Sequence, residues 1–526
     1  MAAHSDSFFD DLRFGLFSNQ IAKIVALFVG CGMAIMLATQ VADPDSNGIA
    51  VLLRWVTGFA FIASVVSPRL GIYLVAFACP VLDIVKRLLI LYSNIDMLDV
   101  TSVLALAPVV LGGSVIGTFS SRLLFKKKFF DVGEGYLFAI MAGIVSLVGL
   151  NAIMHNTESK LGLLRSLGET SIYLSLMFLV SVHFKRHEEI AKLLRLWVMV
   201  FLPVALYGFW QKFFGLADFE RRYLLSGLTV ITDDYLGSAR VFSTLNSNHS
   251  FSVTMACTAI IALIQRQMPA YTDWQRMVKR LGRFFFLVFV AACLISLRRT
   301  GWLVIGLAVF GIYCFSSRKR TGFFYGICIG FGGLVIFNAA YIYTRLPIWD
   351  DVIQSALPNS MNAFHLQTFN DRLYSFITLT EVSGVWTAFG LPERERTNFS
   401  VHDAITESLV KYGALPLFIF LGVMAVILIA SHRMVWREHD LARRRYVTLL
   451  LSLIFSNLFV GAMLQSHINI FPINFIFWFC VGALLKVVLQ EQTAQHEAEL
   501  AERQAAANIT LHQPRSERRR PLAFTQ

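Results

Sequence analysis

Apolar runs of about 17–23 residues recur along this chain from Ile21 to Leu489, and each is long enough to cross roughly 30 Å of hydrocarbon as a helix. In lipid only helices or closed barrels satisfy every backbone N–H and C=O, and these runs lack the period-two alternation of a barrel strand. The fold class is therefore all-α, a polytopic transmembrane helical bundle. Composition agrees: of 526 residues, 56% are hydrophobic and only 15% are charged, too few to cover a soluble protein of this length.

Spans are expected at roughly 21–41, 50–66, 70–91, 98–117, 136–153, 168–183, 196–216, 249–265, 284–297, 301–316, 322–343, 404–431, 446–464 and 468–489, fourteen in this count for a bundle of 12–14 spans. The formal charge of +12 then reads as topology rather than nucleic-acid binding, because cytoplasmic loops collect Lys and Arg. Ser120–Phe130, His183–Arg195, Gln265–Arg283, Ser316–Thr321 and His432–Arg445 are all basic and all fall on one side in this count, together with both termini. The opposite side includes Ala42–Ile49, Tyr92–Met97 and Leu464–His467, none with Lys or Arg. Lys86 and Arg87 break the rule near the outer end of the third span. Either Asp83 pairs with Arg87 at i,i+4 and both snorkel, or the segment after Pro80 is broken or re-entrant.

The seven cysteines all sit within apolar runs without a C-x-x-C pair, so they read as small core residues. Gly322, Gly326 and Gly330, spaced by four, read as a close helix–helix contact. Two outer loops are long, about 217–248 and about 344–403, and the aromatic content of the second argues for a partly helical lid. The chain divides into 1–236, an N-terminal transmembrane bundle; 237–489, a second bundle with the 344–403 loop; and 490–526, a basic cytoplasmic tail.

Charges on the outer rim are the informative ones. Arg298 and Arg299 lie in SLRRTGW, a tight turn between two spans. They are either snorkelling arginines or a fixed site for an anionic headgroup, which the planar guanidinium binds through two parallel hydrogen bonds. GSARVFSTLNSNHSF places Arg240, Asn246, Asn248 and His249 before a span, where Asn248 is a candidate cap. Arg372 falls in the first turn of a helix on the outer loop, unfavourable by the helix dipole unless it has a partner. In SVHDAITESLVKYG, Ser400 and Asp403 fit a capping box, and His402 falls in the first turn. Asp403, Glu407 and Lys411 follow on one face. A histidine there suits a general base at neutral pH, or the turn is simply a solvated, capped helix start. Neither a metal-ligand spacing nor a phosphate-cradling glycine loop is present in the sequence, so no metal and no cofactor are expected.

At these residues the chain resembles the O-antigen ligase and O-antigen polymerase superfamily of bacterial envelope proteins. ARVFSTLNSNHSF, SLRRTGW, NDRLYSFITLTEVSGVWTAFGLP and VHDAITESLVKYGALPLFIFL follow in that family's order, over about Gly237 to Leu428. The resemblance implies glycosyl transfer at the periplasmic face of the inner membrane, from a glycan on undecaprenyl pyrophosphate. The acceptor is the lipid A core in ligases or a lipid-linked repeat in polymerases. It implies that Arg298 or Arg299, with Arg372 and, as a looser match, Arg240, hold the pyrophosphate, and that His402 orients or deprotonates the acceptor hydroxyl. Asp403 stands where the family usually has Asn or Ser, and either orients His402 or caps the helix. The partners implied are that donor, that acceptor and membrane lipids, with no nucleic acid. A lipid-linked oligosaccharide flippase or other export transporter is the alternative.

Overall fold

The computed structural model describes residues 48–92, 103–124, 132–155, 172–184, 186–225, 234–235, 238–239, 241–317, 319–322, 324–326, 391, 404–463 and 467–490. Their helices are α1 (Gly48–Val66), α2 (Pro68–Ala78), α3 (Leu82–Tyr92), α4 (Leu106–Leu124), α5 (Val132–His155), α6 (Ile172–His183), α7 (His187–Phe214) and α8 (Asp218–Leu225). After a two-residue hairpin, β1 (Asp234–Tyr235) with β2 (Ser238–Ala239), come α9 (Asn248–Gln267), α10 (Asp273–Arg280), α11 (Gly282–Ile295) and α12 (Arg299–Phe315). The last are α13 (Ala404–Tyr412), α14 (Ala414–Arg437), α15 (Leu441–Met463) and α16 (Ile473–Gln490).

Among the described residues, α7, α14, α15 and the run Ile473–Gln490 are long and apolar enough to cross a membrane. Large side chains such as Phe77, Phe213, Phe214 and Val426 lie exposed along the bundle. Apolar surface of that kind is tolerated against lipid, and the chain is a helical membrane protein.

A helix apolar on every side belongs in the middle, and one apolar toward lipid belongs outside. The most apolar window of α14 is only 28% buried, whereas that of α16 is 83% buried. At the centre stands α9, buried from Asn248 through Ala262 and packed against α7, α11, α12 and α15. Close approach of α4 to α1 depends on glycine: a Cβ on Gly117 would meet the Val65 carbonyl oxygen at 2.1 Å.

Two expected spans are each two helices. The run 70–91 breaks at Cys79–Val81, because Pro80 has no N–H to continue the ladder; Val81 N instead closes a turn on Ala78 O at 2.9 Å. The run 404–431 breaks at Gly413, whose φ of 88° lies in the left-handed region. Of the Gly322 series, a Cβ on Gly322 or Gly326 meets nothing within 4 Å among the described residues, and Gly330 lies outside them. Cys79, Cys257, Cys293, Cys314 and Cys480 are buried free thiols.

Candidate functional site

Arg298 owes its position to a rigid turn. Between α11 and α12 stand only Ser296, Leu297 and Arg298, and Leu297 carries the left-handed φ of 56° that reverses the chain. Ser296 Oγ accepts from Arg298 N at 3.3 Å, and Ser252 Oγ on α9 donates to Arg298 O at 3.3 Å. Gly301 completes the packing, since a Cβ there would lie 2.2 Å from Ser252 Oγ. With its backbone fixed, Arg298 donates from Nε to Asn248 Oδ1 at 3.3 Å. Arg299, one residue on, is exposed at the start of α12. The turn thus treats the two arginines differently, which the motif SLRRTGW alone does not.

Asn248 is free to orient Arg298 because it is not the cap. Ser247 is the N-cap of α9, its Oγ accepting from Ser250 N at 3.1 Å, and Asn248 is the first helical residue. This corrects the expectation that Asn248 caps the helix.

The loop before α9 is pinned from below. Gln211 Oε1 on α7 accepts from Ser243 N at 2.7 Å and Phe242 N at 3.3 Å, and Ser243 itself has φ 54°. Arg87 Nη1 on α3 donates to Ser243 O at 2.8 Å, and Lys86 Nζ donates to Asn246 Oδ1 at 2.8 Å. Arg87 does not snorkel and does not take Asp83 as its direct partner. It is fully buried, 3.8 Å from Glu220 Oε1, with its guanidinium 4.5 Å over the Phe242 ring. Asp83 pairs instead with Lys86 at 3.3 Å. The broken helix explains the exception to the charge rule: α3 turns its cations inward onto the loop. Glu220 also accepts from Gln211 Nε2 at 2.6 Å and from Ala217 N at 3.0 Å, closing the start of α8. Burial pushes its carboxyl above the ordinary range, against the opposing pull of Arg87.

From Asn248 the polar layer continues across the bundle. His249 is buried and meets the His467 ring edge-on at 6.1 Å. Asn457 Oδ1 accepts from the Cys257 thiol at 3.4 Å and faces His467 Nε2 at 3.1 Å, so His467 carries its proton on Nε2. Two residues on, Asn469 Nδ2 donates to Glu407 Oε2 at 3.4 Å, and Glu407 pairs with Lys411 as the i,i+4 spacing requires.

Asn469 also marks the mouth of a groove of about 300 Å³. Ala404, Ile405 and Ser408 of α13 share that mouth, and Phe420, Met424 and Leu428 of α14 carry an apolar wall away from it. Over Ala404 to Leu428 the lining is almost wholly apolar, which suits a hydrocarbon chain with a polar head at Asn469.

Among the sequence candidates, Arg298 and Arg299 are placed by the structure. Arg240, Arg372, His402 and Asp403 lie outside the described residues, although α13 begins at Ala404, directly after Asp403. Lys86, Glu220, Gln211, Asn457 and His467 were not candidates. Only Lys86 left a signal, as a cation on the wrong side of the charge count. Among the described residues no cluster of three His, Cys, Asp or Glu side chains is arranged to hold a metal. No protein-family model matches the chain, and comparison with characterised proteins gives no match.

Proposed function

We propose that the chain is a metal-independent glycosyltransferase of envelope polysaccharide assembly, an O-antigen ligase or polysaccharide polymerase. It transfers a glycan from undecaprenyl pyrophosphate to an acceptor at the periplasmic face of the bacterial inner membrane. The acceptor is the lipid A core or another lipid-linked repeat. In this reading the bundle has 12–14 spans, both termini are cytoplasmic, and the 344–403 loop lies outside.

One observation carries the reading: Arg298 is held on a rigid turn by the neutral amide of Asn248, at the end of the bundle where an apolar groove opens. A guanidinium whose position is fixed by a turn and an amide suits a phosphate, which its planar fork binds through two parallel hydrogen bonds. The groove suits the polyprenyl chain. Arg298, with Arg299, Arg240 and Arg372, would hold the pyrophosphate and stabilise it as it leaves C1 of the sugar. His402 would take the proton from the acceptor hydroxyl that attacks C1, and Asp403 would orient His402 or cap its helix.

Deleting the gene and inspecting envelope glycans tests this. Lipid-linked polymer left unattached identifies a ligase, and single repeats without polymer identify a polymerase. Unchanged glycans, with Arg298→Gln and His402→Ala also silent, would sink the reading. A reporter fused near Asn359 should lie outside the cytoplasm.

A second reading, a lipid-linked oligosaccharide flippase, draws on the break at Cys79–Val81 with Asp83, Lys86 and Arg87 buried behind it, since transporters place charges on broken helices. In that case Lys86→Met abolishes translocation of the lipid-linked glycan, and His402→Ala leaves it intact.

A further inference from the structure

At the other end of the bundle two basic loops, more than a hundred residues apart in sequence, close on each other. The helix α12 runs from Arg299 at the rim to Phe315, and α15 packs along it with its N-terminus at that far end. Arg444 Nη2 donates to Ser316 O at 3.4 Å, and its guanidinium lies 5.1 Å over the Trp436 ring. Between the loops is a cavity of about 420 Å³ lined by Gly322, Tyr325, His432, Arg433, Trp436 and Arg437.

Three features of this cavity point to one ligand chemistry. Arg433 and Arg437 stand one helical turn apart on α14, both exposed, and no carboxylate lines the cavity among the described residues. The nearest acid in sequence, Glu438, is paired with Arg443 at 3.2 Å. His432 adds a directional donor. Trp436 Nε1 can only donate, and it lies 3.1 Å from His432 Nε2, so the neutral ring carries its proton on Nδ1. That Nδ1 is buried and has no hydrogen-bond partner among the described residues. A buried N–H beside two arginines calls for an anionic oxygen acceptor. Finally, Tyr313, Val426 and Ile429 on the helices beside the cavity are exposed among the described residues, apolar surface that suits the acyl chains of a lipid.

We propose that this cavity binds the phosphodiester headgroup of an anionic phospholipid, with Arg433, Arg437 and His432 Nδ1 as its donors and Trp436 and Tyr325 as its aromatic walls. Basic pockets between membrane helices are suited to such headgroups, and aromatic rings are stable at that depth. The site lies away from the Arg298 rim and does not depend on the transfer reaction.

The test uses the purified full-length chain in phosphatidylcholine nanodiscs, titrated with phosphatidylglycerol and read by native mass spectrometry. The wild type should retain phosphatidylglycerol over phosphatidylcholine. Arg433→Gln with Arg437→Gln should weaken retention by roughly tenfold or more, and Arg433→Lys with Arg437→Lys by less. Arg280→Gln with Arg283→Gln, on a different basic loop, should leave it unchanged. Equal retention of both lipids, or an unaltered glutamine variant with wild-type thermal unfolding, would overturn the proposal. So would displacement of the lipid by millimolar inorganic phosphate, which would make the ligand a soluble phosphate.

Discussion

Lys86 Nζ donates to Asn246 Oδ1 across 2.8 Å, joining the second half of a broken helix to the loop that leads into the central helix. Lys86 is buried, and it also pairs with Asp83 at 3.3 Å. Removing the amide with Asn246→Ala strips a buried cation of its shorter hydrogen bond. The expected cost is about 1.5–3 kcal/mol, the range for hydrogen bonds to charged groups. Thermal unfolding in detergent measures it. A double cycle with Lys86→Met should show the two effects to be coupled, and simple additivity would mean that the contact contributes nothing.

Arg298 and Arg299 should separate on mutation. Lysine cannot copy the Nε contact to Asn248, so Arg298→Lys should reduce glycan transfer by roughly ten- to a hundredfold, in line with one lost electrostatic contact in a transition state. Arg299→Lys keeps the charge at an exposed position and should stay within about threefold. Asn248→Ala should resemble Arg298→Lys with a weaker effect. Transfer assayed with lipid-linked donor in membranes decides, and equal losses at both arginines would remove the special status of Arg298.

Glu220 links fold stability to pH. Its folded carboxyl titrates above the ordinary range because it is buried, so the folded protein holds this proton where the unfolded chain has released it. The stabilisation is present below the unfolded value and is lost as pH rises through the folded one. Unfolding temperature should therefore fall as pH is raised across and beyond the usual glutamate range. Glu220→Gln, which keeps a group able to hydrogen-bond Gln211, should flatten that slope. A slope unchanged in the variant would assign the effect elsewhere.

Glycine substitutions test the packing. Gly117→Ala drives a Cβ to 2.1 Å from the Val65 carbonyl and must push α4 off α1, at a cost of roughly 1–3 kcal/mol. Gly143→Ala on α5 meets nothing within 4 Å among the described residues and should be neutral, or stabilising by about 0.5–1 kcal/mol from helix propensity. Gly413→Ala places a side chain at φ 88° and should cost about 1–2 kcal/mol. Unfolding of the three variants side by side gives the order, and a destabilised Gly143→Ala would show that α5 has a neighbour outside the described residues.

The sequence alone determined the class of fold. Apolar runs of membrane length leave the backbone no other way to satisfy itself than helices, and local spacing settled local contacts such as Glu407 with Lys411. It also named SLRRTGW as a tight turn, because three residues between two helices allow nothing looser. What it could not decide were pairings between distant segments. Hydropathy counts a helix broken at Pro80 or Gly413 as one span, since a break changes direction and not polarity. Charge counting marks Lys86 and Arg87 as misplaced, yet only tertiary packing brings them to Asn246, Ser243 and Glu220, up to 160 residues away. The choice between Arg298 and Arg299 was of the same kind: adjacent residues of one type look alike in sequence, and the direction of a helix start relative to Asn248 tells them apart.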